Sequence, residues 1–371
     1  MEVSALKRVG IGIIGIGAIS WFVVHAYKKD PRADLYFCDV RKDLVEERGK
    51  EWGAKKVYAD YHELLKDNKV DAVEILLPPN LHAHVSIDAA EAGKHVSCIK
   101  PMARNLDECD QMISAAKRNA VKLRYAESEY YFPPIVRAKE LIEGGEIGEP
   151  LVIYQQISGG YTIPSRTLPG YRVYDEASMT WRRDEKRSRF RNFIDAGVHR
   201  LATAINLFND VDKVKAWIAA EKGEPNIAIW KHKTKNRRGL LTDTLYSSSR
   251  VLLEGAGYGP CERIEITGTG GFLWIPSVAS GLALTPKPAP LILYKRDATT
   301  HFDNIEDSIE SIGGFKQMAS SLVDCILEDK EPVSKGLEGK KVLQFALAIC
   351  QSADENREIS VDSVPYQAQW W

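Results

Sequence analysis

The chain has 371 residues, a length that holds two domains or perhaps a third. Hydrophobic residues make up 44% and charged residues 27%, an ordinary globular balance that excludes disorder as the main state and excludes a fibrous repeat. Lys plus Arg is 50 against 51 for Asp plus Glu, so the basic excess of a dedicated nucleic-acid binder is absent, as is an acidic tail.

The first apolar stretch, residues 9–24, carries no charge and follows Lys7 and Arg8, which resembles the basic start and apolar run of a signal peptide. Gly10, Gly12, Gly15 and Gly17 crowd that run, and glycine is costly inside a helix. No small-x-small cleavage site precedes Tyr27-Lys28-Lys29. A strand over 9–14, a glycine turn at Gly15-Ile16-Gly17 and a helix over 18–27 account for the glycines better. No membrane segment is therefore expected.

A second strand over 34–38 ends at Asp39. Strand, glycine turn, helix and strand ending in an acid make a dinucleotide fingerprint. Gly15 allows the tight turn, and Gly17 lets the backbone approach a pyrophosphate lying on the N-terminus of the next helix. Asp39 follows at about 20 residues, where a carboxylate accepts both ribose hydroxyls and repels a 2′-phosphate. NAD is thus expected over NADP, with Arg41 as the residue able to accommodate the extra phosphate. The third fingerprint position is Ser20, small enough for close helix–strand packing.

The alternation continues with helices over 43–52, 61–67, 83–92 and 106–119 and strands over 70–77, 95–99 and 121–126, which predicts a parallel, doubly wound sheet. Ligands bind such sheets at the carboxyl ends of strands. The cofactor-binding candidates are Gly15, Gly17, Ala18 and Ile19 at the turn, Asp39 and Arg41 at the ribose, Leu77, Pro78, Asn80 and His82 after one strand, Lys100 after the next, and Glu127 where the alternation stops.

From Glu127 onward the pattern changes. Helices are predicted over 134–144, 313–327 and 336–353, with another running through Val198, Leu201, Ala202 and Ile205. Strands are predicted over 151–158, 211–220, 240–247, 251–254, 263–267, 271–275 and 291–294. Turns such as Gly268-Thr269-Gly270-Gly271 join several of them antiparallel. The expectation is an α/β chain: a Rossmann domain over 1–126, and a substrate-binding and oligomerisation α+β domain over 127–371 with an open, largely antiparallel sheet. Basic clusters at 182–191 and 231–238 read as solvated loops, the alternatives being an anionic substrate or a subunit contact. The segment 161–181 reads as a long loop carrying Tyr161, Tyr171, Tyr174 and Trp181. Such loops are often functional, and its aromatics suit either a sugar face or packing onto the sheet; Tyr174 and Trp181 are the substrate-binding candidates.

Six cysteines, Cys38, Cys98, Cys109, Cys261, Cys325 and Cys350, form no C-x-x-C pair and fit no zinc spacing. They read as free thiols of a reducing cytoplasm. His25, His62, His84, His95, His232 and His301 have no partner at metal-ligand spacing, so no metal is expected.

Several motifs taken in order resemble the Gfo/Idh/MocA family of oxidoreductases, which includes glucose–fructose oxidoreductase and inositol dehydrogenase. Gly12-Ile13-Ile14-Gly15-Ile16-Gly17-Ala18-Ile19 is similar to its opening. Asp71-Ala72-Val73 with Pro78-Pro79-Asn80-Leu81-His82 is similar to its "DAV…P…H" segment, and Ala92-Gly93-Lys94-His95-Val96 with Lys100-Pro101 to "AGKHV…EKP". Residues 143–150 resemble the "G-x-IGEP" junction between the domains, and Asp195-Ala196-Gly197-Val198-His199 matches "D-x-G-x-H". Two positions depart from the pattern: Ile99 stands where the family has glutamate, and Arg189-Phe190-Arg191-Asn192-Phe193 replaces a glycine-rich stretch.

The resemblance implies an NAD-dependent dehydrogenase acting on a secondary alcohol of a sugar, polyol or glycoside, with sugar C3 oxidised by some members, and a homo-oligomer, dimer or tetramer, built through the second domain. It implies Lys100, Asp195 and His199 as the catalytic set, which also touch substrate. Alcohol oxidation needs a base, most often histidine near neutral pH. His199 fits, with Asp195 four residues before it on one helical face, and Lys100 can donate to a developing alkoxide. Each has a structural alternative: Asp195 as a helix cap, His199 as a packed histidine, Lys100 as support for a turn. Two other functions stay open, an NAD-dependent glycosidase working through a transient 3-keto sugar and a non-catalytic NAD-binding sensor.

Overall fold

A computed structural model describes residues 7–158, 194, 197–218, 225–244, 261–276, 291–305 and 313–368. Its contacts divide the chain into two compact units. Within the described residues, the first unit holds 7–127 together with Phe315–Lys340, and the second holds the remainder.

The first unit is built on a six-stranded parallel sheet. The strands are β1 (Val9–Ile14), β2 (Ala33–Cys38), β3 (Lys56–Tyr58), β4 (Ala72–Ile75), β5 (His95–Ile99) and β6 (Leu123–Ala126), in spatial order β3-β2-β1-β4-β5-β6. Every residue of β1 is buried, as expected of a parallel strand covered on both faces. Gly10 is required there, because a Cβ would stand 1.7 Å from the Lys69 carbonyl oxygen. The order reverses at β1, between β2 and β4, which marks the place where doubly wound sheets bind ligands. The helices are α1 (Ser20–Tyr27), α2 (Lys42–Trp52), α3 (Tyr61–Leu65), α4 (Pro79–Glu91) and α5 (Leu106–Arg118). Helix α4 starts four residues earlier than its pattern suggests, because Pro79 occupies the first turn, where the missing N–H costs nothing. The three-residue β3 was not legible as a strand.

By its contacts the chain passes from the first unit to the second after Glu127, and Phe315–Lys340 returns to the first. Helix α8 (Gly314–Leu327), far along the sequence, belongs almost entirely to the first unit. Arg124 of β6 and Glu74 of β4 are both fully buried and paired at 2.5 Å. The Tyr27 hydroxyl donates to the same carboxylate at 2.5 Å, Arg124 Nε donates to Ser97 Oγ at 2.9 Å, and the guanidinium also reaches the Met318 carbonyl of α8. Phe22 stacks on Phe315 and Arg32 pairs with Asp324 at 2.7 Å. A buried charge must be paired, and α8 supplies part of that pairing.

In the second unit, α6 (Pro133–Glu143) leads into a mixed nine-stranded sheet. Its strands are β7 (Pro150–Ser158), β8 (Val211–Trp217), β9 (Asn226–His232), β10 (Arg238–Thr244), β11 (Cys261–Gly268), β12 (Gly271–Ile275), β13 (Ile292–Lys295), β14 (Ala298–His301) and β15 (Ile359–Ser360), in order β14-β13-β12-β11-β7-β10-β9-β8-β15. All pairings are antiparallel except β7 with β10. Two further α-helices are α7 (Val198–Phe208) and α9 (Gly336–Glu355), the latter crossed by the division between units. The cluster at 231–238, expected as a loop, is a tight hairpin instead: Lys231 and His232 end β9 and Arg238 opens β10. The strand expected over 251–254 lies outside the described residues.

The register sorts this sheet into two faces. Val214, Ala216, Ala228, Trp230, Leu241, Ile153, Ile264, Ile266, Leu273 and Ile275 form the buried one. Trp230 lies over Gly239 of the neighbouring strand, where a Cβ would meet the indole at 1.9 Å. The opposite face pairs Lys215, Ile229, Leu240 and Tyr154 in one row and Trp217, Ile227, Thr242 and Gln156 in the next.

Under the buried face, Trp230 Nε1 donates to His232 Nε2 at 2.8 Å, which leaves Nδ1 as the protonated nitrogen, 2.8 Å from the Asn209 carbonyl. Burial lowers the His232 pKa from 6.5 to about 4, outweighing the Asn209 hydrogen bond. The unfolded chain therefore binds the extra proton between those values. The stabilisation from a neutral His232 is complete above pH 6.5 and is lost as pH falls toward 4, a contribution of about 3 kcal/mol. Urea unfolding between pH 7 and 4 should show this slope in the native protein and a shallower one in His232→Gln. Equal slopes would remove His232 as the source.

Candidate functional site

The site begins where β1 ends. Gly15 sits at φ 99°, and a Cβ there would stand 2.7 Å from the Leu76 carbonyl oxygen, so no other residue makes this turn without displacing the neighbouring strand. The Gly15 N–H donates to the Cys38 carbonyl at 2.8 Å, tying the turn to the end of β2. Gly17 differs in kind: a Cβ there would meet nothing within 4 Å. No atom of the described residues demands a glycine at that point, and open space there is what a pyrophosphate approaching the backbone requires. Ser20, in place of the third fingerprint glycine, is fully buried, and its hydroxyl closes the turn on the Gly17 carbonyl at 2.6 Å. Gly17, Ala18 and Ile19 are half-exposed as they lead into α1.

Asp39 follows β2 and is only 8% exposed. Its Oδ2 accepts the Ile16 N–H at 2.9 Å, so the acid is anchored to the glycine turn itself. Oδ1 accepts the Arg41 N–H at 3.0 Å, and the Arg41 guanidinium spans both oxygens, Nε on Oδ1 and an Nη on Oδ2, each at 3.0 Å. Burial pushes the carboxyl pKa up. Hydrogen bonds from the Arg41 side chain, the Arg41 and Ile16 N–H groups and the Arg41 charge outweigh it and hold the pKa below the usual carboxylate range. Asp39 is thus an anion held at the edge of the open space over Gly17. This arrangement fits the adenosine end of a dinucleotide.

Leu77 and Pro78 are half-exposed past the end of β4, and Asn80 is exposed in the first turn of α4. Lys100 is half-exposed directly after β5 and joined to Pro101 by a cis peptide bond. Ile99, in the glutamate position of the resemblance, is 8% exposed. Two candidates sit differently from expectation. His82 was read as a cofactor contact, yet it is fully buried, with Nε2 2.7 Å from the Leu77 carbonyl and Nδ1 2.9 Å from the Pro101 carbonyl. Burial pushes its pKa down against those backbone bonds. A neutral imidazole carries one N–H, which it donates to one of these carbonyls, so the buried ring lies between the segments that follow β4 and β5. Glu127, just past β6, is likewise fully buried.

In the second unit, His199 is the second residue of α7 and is half-exposed, between buried Val198 and Arg200. Asp195, Tyr174, Trp181 and the basic cluster at 182–191 lie outside the described residues. No group of three His, Cys, Asp or Glu side chains able to hold a metal occurs among the described residues. No helix there is long and apolar enough to cross a membrane. Two features escaped the sequence reading: the Ile16 N–H that anchors Asp39, which is backbone and leaves no residue signal, and Glu129, an acid beside the aromatic run Tyr130-Tyr131-Phe132 that could have been flagged as a charge in a buried segment.

Residues 9–127 match the family described as "Oxidoreductase family, NAD-binding Rossmann fold", and residues 139–361 match "Oxidoreductase family, C-terminal alpha/beta domain". The chain belongs to the Gfo/Idh/MocA oxidoreductase family. Its nicotinamide cofactor is NAD. Among curated relatives, a myo-inositol 2-dehydrogenase of Thermotoga maritima is 38% identical over 95% of this chain and 99% of its own length. Among solved structures, an oxidoreductase from Agrobacterium radiobacter, crystallised with NAD+, L-tartaric acid and magnesium, superposes with a TM-score of 0.79 at 17% identity, covering 97% of this chain and all of that one. A probable dehydrogenase from Thermotoga maritima gives 0.75 at 23% identity over 96% of this chain and all of that one. These two establish likeness of fold.

Asp39 is the residue expected to set the cofactor preference. A 2′-phosphate placed on a buried carboxylate costs several kcal/mol of like-charge repulsion. Replacing Asp39 with Ala removes that repulsion and takes away the carboxylate that Arg41 now pairs with. The ratio of NADP to NAD dissociation constants, measured by fluorescence titration, should fall by about tenfold or more. Native protein that binds NADP more tightly than NAD would overturn the assignment.

Proposed function

We propose that this chain transfers a hydride between a secondary alcohol carbon of a sugar or polyol and NAD. The observation that carries the reading is the full-length likeness, 38% identical, to a myo-inositol 2-dehydrogenase. NAD, when bound, supplies the hydride-accepting nicotinamide, and Gly15, Gly17, Ala18, Ile19, Asp39, Arg41, Leu77, Pro78, Asn80 and Lys100 are the residues assigned to hold it. What remains for the protein is to orient the alcohol and to move one proton. His199 Nε2 or Nδ1 accepts the hydroxyl proton as general base. Lys100 Nζ donates a hydrogen bond to the same oxygen as it gains negative charge. Asp195 is assigned to orient the imidazole or to hold a neighbouring hydroxyl, with Tyr174 and Trp181 as further substrate contacts; these assignments rest on sequence. Cys38, Cys98, Cys109 and Cys325 are buried thiols, which suits a reducing cytoplasm.

A panel of myo-inositol, other polyols, aldoses and glycosides, offered with NAD and NADP and read at the NADH absorbance band, tests the class. NADH formed in proportion to oxidised polyol or sugar is the expected result. A cleaved glycoside without net NADH would replace this reading by the glycosidase, and binding without turnover would replace it by the sensor. With a substrate in hand, His199→Ala should lower turnover by about 10²–10⁴ while leaving NAD affinity nearly intact. Lys100→Ala should cost roughly 3–4 kcal/mol of transition-state stabilisation, like a lost oxyanion donor. Near-normal turnover of His199→Ala would remove it as the base.

The outward face of the second unit's sheet supports a homo-oligomer. Trp217 is 49% exposed, Ile229 43% and Val152 40%, and a sheet face this apolar is burdensome in water. A second copy of the chain presenting the same face is the proposed cover, giving a dimer or tetramer. Light scattering at micromolar concentration should report more than one chain per particle, and Trp217→Lys with Ile229→Lys should shift it toward one. A native monomer would sink the proposal.

A further inference from the structure

We propose that Glu129 is a positioning residue that sets the direction of the His199 imidazole through Arg200 and Thr203; this rests on the reading of His199 as the base. Helix α7 begins at Val198, and of its first four residues His199 alone is not buried. Where that imidazole points depends on how α7 is rotated about its own axis. Glu129 lies in the short 3-10 turn Ser128–Tyr131 and is fully buried, as are, to within 2%, Arg200 and Thr203. Both of its oxygens are turned to α7. Oε1 accepts from the Arg200 guanidinium, and Oε2 accepts from Thr203 Oγ1 at 2.6 Å. Thr203 Oγ1 is also 3.1 Å from the His199 carbonyl oxygen. A hydroxyl has one proton, and the nearer, charged carboxylate claims it, so Thr203 is committed to Glu129. From β7, Gln155 Nε2 donates to the Arg200 carbonyl at 3.0 Å.

The first turn of α7 is therefore held just after His199: by the side chains one residue and one turn after it, both on the same carboxylate, and by the Gln155 bond to the Arg200 carbonyl. Two charges taken out of water are expensive, and apolar packing would hold a helix at lower cost. What a carboxylate with two directional partners adds is a fixed rotation and height. A displacement of ~1 Å at a reacting group lowers turnover by about 10²-fold, so a base on a helix end gains from that constraint.

The test uses the full-length protein labelled with 13C at histidine Cε1. The His199 signal is identified by its loss in His199→Ala. Thr203→Val removes the hydroxyl at near-constant shape, Thr203→Ser restores it, and Glu129→Gln removes the charge; should Glu129→Gln fail to fold, Thr203→Val decides. The His199 ring signal should shift or broaden in Thr203→Val and return in Thr203→Ser, with the exposed His62 and His84 signals unmoved. With myo-inositol and NAD as the probes, Thr203→Val should lower kcat by about 10–10²-fold with KM nearly unchanged. The double variant His199→Ala/Thr203→Val should be no slower than His199→Ala. An unmoved His199 signal in folded variants, or a Thr203→Val loss that adds in full to that of His199→Ala, overturns the proposal. Near-normal turnover of His199→Ala is a separate failure: it removes the base and the catalytic half of the proposal with it, whatever the ring signal does.

Discussion

The hydrogen bond from the Ile16 N–H to Asp39 joins the two parts of the candidate dinucleotide site into one piece. The glycine turn and the acid come from consecutive strands of the parallel sheet, and the carboxylate is bonded to the backbone of the turn. Gly15 has its own bond to the end of β2. A shift of either strand end would move both, so the open space over Gly17 and the anion at its edge keep a fixed relation. Arg41, bidentate on the same carboxylate, keeps it ionised in spite of burial. The charge is thus stabilised by the protein before any ligand arrives, which is the condition for recognition without reorganisation.

Each unit places one buried ion pair where a helix has to be held. Glu74 and Arg124 lie inside the first unit and reach α8 through the Met318 carbonyl. Glu129 and Arg200 lie inside the second and hold α7. Such pairs contribute little to net stability, because desolvation offsets attraction, yet breaking one partner costs about 3–5 kcal/mol. Their effect is selective: an alternative placement of α7 would strand the Glu129 and Arg200 charges away from water, and one of α8 would take the Met318 carbonyl from Arg124. Hydrophobic contact sets how firmly these helices pack, and the ion pairs set where.

The second unit's sheet shows what strand alternation decides. One face buries Trp230, Leu241 and Ile153 and holds His232 neutral beneath it. The other carries Trp217, Ile227, Ile229, Leu240 and Tyr154 in adjacent rows. A strand with apolar residues on both faces belongs to a sheet covered on both sides, and the described part of this chain supplies cover for one.

Local chemistry made much of the protein legible in its sequence. The period of β1, the φ that only glycine tolerates at Gly15, and the acid at the end of β2 act over one or two dozen residues, and each leaves a mark in residue order. The family followed from motifs of the same kind. Contacts between distant residues left no such mark. Glu74 and Arg124 are 50 positions apart, so nothing in either neighbourhood announced that α8 would pack with the Rossmann sheet and not with the domain it follows. Strand β9 was hidden because its far end is basic and the turn after it is charged. His82 looked like a ligand contact from its place after Pro78-Pro79-Asn80; only the folded backbone showed two carbonyls already facing its ring. Residue type and spacing determined the class of chemistry and the cofactor. Burial and the partners it enforces are properties of the packed chain, and they alone decided which polar residues face outward to a ligand and which hold the others in place.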